Sequence, residues 1–356
     1  MSLKALGFDE HFRKCFAPYK EKGLFAGRVV REESNIYRVI SEHGELRATV
    51  SGRLWYHAEA RSEFPAIGDW VALRVIEAEN KAKIVAILDR KSCFSRKEAG
   101  TVTREQIIAA NVDVLFIVTG LDRDFNVRRL ERYLLLCSNS GANPVVVLNK
   151  SDLCHDEELM TKIGEARACA PGTPVIPVSA LEGSGLESMQ LYLEKGQTGA
   201  LVGSSGVGKS ALINALLGRE CQLVGEVREA DGRGRHTTTH RELFTLPEGG
   251  LLIDSPGMRE LQLWTEEDSL ELAFSDIEEL AQNCRFRDCQ HQGEPGCAVH
   301  QALEEGTLAA DRFDSYLQLQ KETRYLARRQ DQKARQEEQA KWRRISRQIR
   351  KMKIRR

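Results

Sequence analysis

Eight consecutive residues, Gly203-Ser204-Ser205-Gly206-Val207-Gly208-Lys209-Ser210, have the composition and spacing needed to hold a chain of phosphates. They follow a short apolar run, Thr198 to Val202, and precede an apolar helical one, Ala211 to Leu217. In that setting the glycines let successive backbone N–H groups curl around an anion, and the start of the next helix favours negative charge. Lys209 would reach the outer phosphate oxygens, and the Ser210 hydroxyl would ligate Mg²⁺.

A phosphate loop does not choose a base. Asn149-Lys150-Ser151-Asp152 does: the Asp152 carboxylate can accept hydrogen bonds from N1 and N2 of guanine, which adenine cannot supply, while the Lys150 stem packs along the ring. Ser179-Ala180, after the run Pro174 to Val178, offers a backbone N–H for the guanine O6. Asp254-Ser255-Pro256-Gly257 ends another apolar run; Asp254 would hold Mg²⁺ through water, and the Gly257 N–H would meet the terminal phosphate. The next residue is Met258, where Ras-like enzymes carry the glutamine that orients the attacking water. Intrinsic hydrolysis is therefore expected to be slow, or the water is oriented by another group.

Gly232-Arg233-Gly234-Arg235-His236-Thr237-Thr238-Thr239 has the glycines and charges of a loop that orders around a terminal phosphate. One of its three threonines, taken here as Thr238, would join Ser210 on Mg²⁺. His236 is the candidate to position water, with a partner-binding or solvated role as the alternative. The catalytic candidates are thus Lys209 and His236.

Farther on, Cys284-x4-Cys289-x-His291-x5-Cys297 places three thiols and an imidazole in fourteen residues. Such a set closes a tetrahedral zinc site with no position left for water, which makes it structural. His300 is a substitute ligand, and His291 is preferred. The other six cysteines are scattered, as in a chain whose thiols stay reduced.

These groups need elements to hold them. Between Gly23 and Leu88, five short alternating runs predict a small barrel, either oligonucleotide-binding (OB) or SH3-like, since periodicity does not separate the two. Its runs carry Arg28, Arg31, Arg38, Arg47, Arg53 and Arg74, so a basic face is expected; Trp55, Tyr56 and Phe64 either stack on bases or belong to the core. After a basic link, Arg90 to Lys97, continuous apolar runs at Val112 to Val118 and Pro144 to Leu148 predict buried parallel strands. Helical patterns between them, Val127 to Cys137 and Glu157 to Cys169, make repeated βαβ units. Helices dominate from Glu266.

The 356 residues suit two or three domains, and a 41% hydrophobic, 29% charged composition is that of a folded, soluble chain. No apolar run approaches the ~20 residues of a membrane helix, and Met1 to Lys22 holds no signal-peptide block, so a cytoplasmic location with no membrane partner is expected. The net charge of zero conceals a division: residues 321–356 hold 15 Lys/Arg against 4 Asp/Glu, a local charge of +11. A basic end on an acidic body points to a polyanion, the alternative being a helix that only confers solubility.

The motif order is the most particular feature. The guanine-reading Asn149 to Asp152 precedes the phosphate loop at Gly203, the reverse of ordinary GTPases. Taken with the barrel and the Cys/His cluster, this permuted set resembles the circularly permuted ribosome-small-subunit-dependent GTPase A family (RsgA, also YjeQ). The resemblance covers nearly the whole chain and implies an N-terminal OB fold, a central α/β P-loop GTPase and a C-terminal α-helical zinc-binding domain, at 1–95, 96–275 and 276–356. It implies GTP hydrolysis stimulated by the small ribosomal subunit, late in that subunit's maturation, with its rRNA as partner. It further implies guanine contacts at Asn149 to Asp152, phosphate contacts from Gly203 to Ala211, and one zinc on Cys284, Cys289, His291 and Cys297. Asp-Ser-Pro-Gly in place of the commoner Asp-Thr-Pro-Gly is a small departure. The alternative is a GTP-gated rRNA-binding module in which occupancy, not hydrolysis, is the signal. A monomer is expected.

Overall fold

Alternation of small apolar and polar residues between Phe25 and Ile87 produces five strands: β1 (Phe25–Glu33), β2 (Ile36–Ser41), β3 (Gly44–Val50), β4 (Trp70–Ile76) and β5 (Lys81–Ile87). Val29, Tyr37, Val39, Leu46, Leu73 and Ile84 fill the interior. β3 and β5 pair in parallel, and β4 returns antiparallel to β1, closing the order β1-β2-β3-β5-β4. That closure is the OB arrangement, which decides between the two barrels. Gly27 permits it, because a Cβ there would stand 2.5 Å from Val39 Cγ1 and 2.6 Å from Leu73 Cδ1.

The structure is a computed structural model describing residues 2–33, 35–58, 60–76, 79–97, 105–122, 125–138, 140–218, 241–254, 274–286, 289–291 and 293–321. The chain separates into two compact units, Met1–Gln262 and Leu263–Arg356.

Two expectations for the barrel need correction. Arg28 is not on a basic face; it is 1% exposed and donates to the carbonyls of Gly68, Leu6 and Asn111. Burial holds its pKa down at about 10, against the pull of Asp113 and Asp69, so it remains charged at neutral pH. The outer side is covered too, because Phe8, and Phe12 of α1 (Glu10–Lys20), lie tilted against Trp70, the β4 residue paired with Arg28, with centroids 4.8 and 5.7 Å apart. Replacing Arg28 with Leu leaves the Leu6 and Asn111 carbonyls without this donor, each worth about 1–3 kcal/mol, while Gly68 keeps the Asn111 Nδ2 bond of 3.1 Å. A loss of at least about 2 kcal/mol in urea unfolding is expected; a change under about 1 kcal/mol would show that the carbonyls find other partners.

The second correction concerns the basic link. Arg90 grips the buried Asp69 through two hydrogen bonds of 2.8 and 2.7 Å, and β6 (Cys93–Lys97) pairs antiparallel with β7 (Glu105–Ala110). Charge made the segment read as a connection, whereas Cys93–Lys97 is one strand of a two-stranded sheet. By contrast Trp55 and Tyr56, on α2 (Gly52–His57), are 56% and 85% exposed, so they are surface and not core; Phe64 packs edge-on to Trp55 at 5.2 Å.

The continuous apolar runs form parallel strands in the order β10 (Val175–Val178), β9 (Asn143–Asn149), β8 (Val114–Gly120), β11 (Thr198–Val202), β13 (Leu251–Asp254). β12 (Arg241–Thr245) adds antiparallel to β13 and also pairs with β1, joining barrel and sheet into one eleven-stranded ladder. Helices α3 (Val127–Ser138), α4 (Asp156–Cys169), α5 (Leu186–Gln190) and α6 (Lys209–Leu217) connect the strands, and α5 and α6 pack on the apolar cluster around Phe116, Val147 and Leu252. This is the mostly parallel α/β sheet expected of the central domain.

In the second unit the helices Ser275–Ala281 and Ala298–Glu304 and a helical stretch over 310–321 surround Phe274, Ile277, Val299, Phe313 and Tyr316. Arg312 makes two 2.8 Å bonds to Asp276. Among the described residues, no helix is long and apolar enough to cross a membrane.

Candidate functional site

The carboxyl ends of β8, β9, β10, β11 and β13 deliver Asp122, Asn149 to Asp152, Ser179-Ala180, the loop 203–208 and Asp254 to one edge of the sheet, where open α/β sheets bind ligands.

The phosphate loop is shaped by glycine. Gly203, Gly206 and Gly208 have φ of 152°, 85° and 93°, in the region that side chains disfavour. A Cβ on Gly203 would meet the Val118 carbonyl at 2.2 Å, and one on Gly208 would meet Asn149 Nδ2 at 2.3 Å. Gly208 caps α6, so Lys209, Ser210 and Ala211 form its first turn. Lys209 is buried and curls back onto its own loop, its Nζ donating to the carbonyls of Gly203, at 2.6 Å, and Ser204. A phosphate entering the loop would take over those bonds.

Asn149 fastens this loop to the base-reading segments. It is 1% exposed; its Nδ2 donates to the Val207 carbonyl at 2.8 Å, and its Oδ1 accepts from the Ala180 N–H at 3.1 Å. Phosphate loop, guanine segment and Ser179-Ala180 therefore meet at one side chain. The N–H groups expected near guanine O6 are engaged within the protein: that of Ser179 with the Ser184 carbonyl at 3.0 Å, that of Ala180 with Asn149. An O6 contact from Ala180 must share or replace that bond.

Lys150 sits at a left-handed φ of 65° and reaches Asp122 at 2.6 Å. The Asp152 carboxylate accepts the hydroxyl of buried Ser179, which fixes one of its oxygens and leaves the residue exposed to a base. Ser151 opens the one-turn helix Ser151–Leu153 that carries Asp152. Asp254 ends β13 beside the loop strand β11. Sequence reasoning missed Asp122 and Arg129, whose guanidinium donates to the Ser204 hydroxyl. Their sole signal was position, just beyond the end of β8. Gly257, Met258, His236, Thr238 and the basic end beyond residue 321 lie outside the described residues.

The second unit gathers its four predicted ligands. The donor atoms of Cys284, Cys289, His291 and Cys297 lie within 4.8 Å of one another. Cys284 Sγ is 3.6 Å from His291 Nδ1 and 3.9 Å from Cys297 Sγ, and the last two are 3.4 Å apart. A tetrahedral ion with Zn–S of ~2.3 Å and Zn–N of ~2.0 Å separates its donors by roughly 3.5–3.8 Å, so the set fits. Positive φ at His291, 56°, turns the ring inward. Burial pushes the Cys284 thiol up, but the N–H groups of Val299 and Ala298 outweigh it and leave the thiol below its ordinary value. His300 is no ligand here: its ring faces Glu304, 3.8 Å away, and its backbone N–H donates to Cys297 Sγ.

Comparison with known proteins agrees with this geometry. A family model described as RsgA GTPase matches residues 87–264. A second, described as ABC transporter, matches residues 186–353, a span that holds the phosphate loop but not the guanine segment. "Small ribosomal subunit biogenesis GTPase RsgA" of Opitutus terrae is 45% identical over 97% of this chain and 96% of its own. "Small ribosomal subunit biogenesis GTPase RsgA 2" of Lactiplantibacillus plantarum is 48% identical over 92% and 90%. Among solved structures, YjeQ from Thermotoga maritima superposes with a TM-score of 0.64 at 27% identity, covering 84% of this chain and 98% of that one. YloQ, titled a circularly permuted GTPase, gives 0.62 at 24% identity over 85% and 95%, a likeness of fold.

Proposed function

Because the chain belongs to the RsgA GTPase family, we propose that its GTPase activity times a late step in small ribosomal subunit maturation, with the subunit stimulating hydrolysis and hydrolysis releasing the protein. The observation that carries the reading is the Asn149 side chain, which couples the base-reading segments to the phosphate loop in a fold of permuted order. Water attacks the γ-phosphate in line, and Lys209 exchanges its loop carbonyls for phosphate oxygens as charge develops. Ser210 with Thr238, and Asp254 through water, would hold Mg²⁺, which would supply charge that neutralises the phosphates. His236 is the proposed water-positioning group, in keeping with Met258 where a glutamine would otherwise stand. The zinc ligands Cys284, Cys289, His291 and Cys297 would stabilise the unit that carries the basic end.

Binding to rRNA is supported by exposed Trp55 and Tyr56 on α2 and by the charge of residues 321–356. The site division is then barrel at 1–95, GTPase at 96–275 and zinc domain at 276–356, in a cytoplasmic monomer. Turnover alone is expected to be slow and to rise at least ~100-fold with small subunits, a modest share of what trans-acting groups supply elsewhere. Equal rates with and without subunits would end this reading. The absent glutamine also favours a second one, an rRNA-binding module gated by GTP occupancy alone. Only the timer requires cleavage, so equally fast release from subunits with GTP and with a non-hydrolysable analogue would favour the second.

A further inference from the structure

Lys209 is not the only cation at the phosphate loop. Arg129 lies in the first turn of α3, and its backbone N–H is capped by Asn126 Oδ1 at 3.0 Å, which fixes where the helix begins. From there its guanidinium reaches across to donate to the Ser204 hydroxyl, while Lys209 donates to the carbonyl of the same residue. Two basic side chains therefore converge on the second residue of the loop. The start of α3 follows directly from Asp122, which holds Lys150 of the guanine segment. One short stretch thus touches both halves of the nucleotide site.

We propose that Arg129 is a positioning residue for the GTP site, holding Ser204 from α3 and adding a second fixed charge that favours the triphosphate over the diphosphate. The proposal rests on reading residues 203–210 as that site. An arginine stays charged at any physiological pH, so its field acts on every phosphate brought into the loop. Attraction between that charge and the ligand grows with the ligand's negative charge, which increases from GMP to GDP to GTP. A guanidinium that served only as a mechanical tether would give a different pattern, because losing a tether distorts the loop equally for all three nucleotides.

The test is a ladder of affinities for GMP, GDP and a non-hydrolysable GTP analogue, measured by competition on the full chain. Arg129→Gln keeps an N–H donor on a shorter side chain and removes the charge. It is expected to weaken the GTP analogue ~10–30-fold, GDP ~3-fold and GMP less than ~2-fold, so that the GTP-to-GDP ratio falls several-fold. Arg129→Lys should restore most of that ratio. If Arg129→Gln does not fold, Arg129→Met, which keeps an unbranched apolar stem and removes the charge, decides in its place by the same fall in the ratio. Equal losses for all three nucleotides with the neutral variant, or a GTP-to-GDP ratio that Arg129→Lys does not restore, overturns the proposal. A parent chain that hydrolyses no GTP would remove the timer yet leave this ladder readable, since no arm depends on turnover.

Discussion

Replacing Asp152 with Asn is expected to lower GTP affinity by about 10³-fold or more and to create affinity for xanthosine triphosphate. The carboxylate is acceptor-only, matched to two donors on the guanine edge; an amide places its own donor there and suits the xanthine carbonyl instead. The surroundings of Asp152 make the exchange clean. Ser179, buried at 0% exposure, donates to one carboxylate oxygen and can donate equally to an amide oxygen. Asn149 is untouched, so the bonds to Val207 and Ala180 that shape the phosphate loop persist. The loss should therefore appear in base choice and not in thermal stability. Competition between GTP and xanthosine triphosphate measures it, and an unchanged GTP affinity would remove Asp152 from the base contact.

The sequence revealed those parts of the site whose chemistry depends on residue type and spacing. Thr198 to Val202 could be read as a strand because it is apolar and ends on the phosphate loop, and β11 has those bounds. The Cys/His cluster was legible because thiols and imidazole at short separations have few other uses. What stayed hidden depends on residues distant in the chain. Arg28 looked like a surface arginine by alternation, yet β1 is buried on both sides over Ala26 to Val30, since the N-terminal segment covers its outer face. Its three acceptors lie at positions 6, 68 and 111, and no local pattern connects them. Asp122 and Arg129 were missed for the same reason, their partners being 28 and 75 residues away. Asn149 was read as part of a guanine motif, but its bonds make it the joint between three segments.

Removing the metal should have the larger structural consequence. The unit Leu263–Arg356 has a small apolar centre, with short helices Ser275–Ala281 and Ala298–Glu304 on either side of the four ligands. Small cores of this kind rarely sustain a fold without a cross-link or metal. The cluster is tied into the fold: Cys297 is 6% exposed and caps Ala298–Glu304 by accepting the His300 N–H at 3.4 Å, and beside it the Arg285 N–H bonds to the Gly296 carbonyl at 3.0 Å. Without an ion, three thiols and an imidazole within 4.8 Å lose the centre that makes their convergence favourable. Structural zinc in comparable sites contributes ~10 kcal/mol or more, beyond what a centre of this size can replace. Chelation, or Cys297→Ser, is therefore expected to release one equivalent of zinc and to open this unit to protease cleavage. Affinity for GDP should change less than ~2-fold, because none of the proposed nucleotide contacts lies in Leu263–Arg356. Metal analysis, limited proteolysis and a GDP titration on one preparation test all three expectations. A chain purified without metal that nevertheless resists protease over 274–321 would show that the helices, and not an ion, hold this unit together.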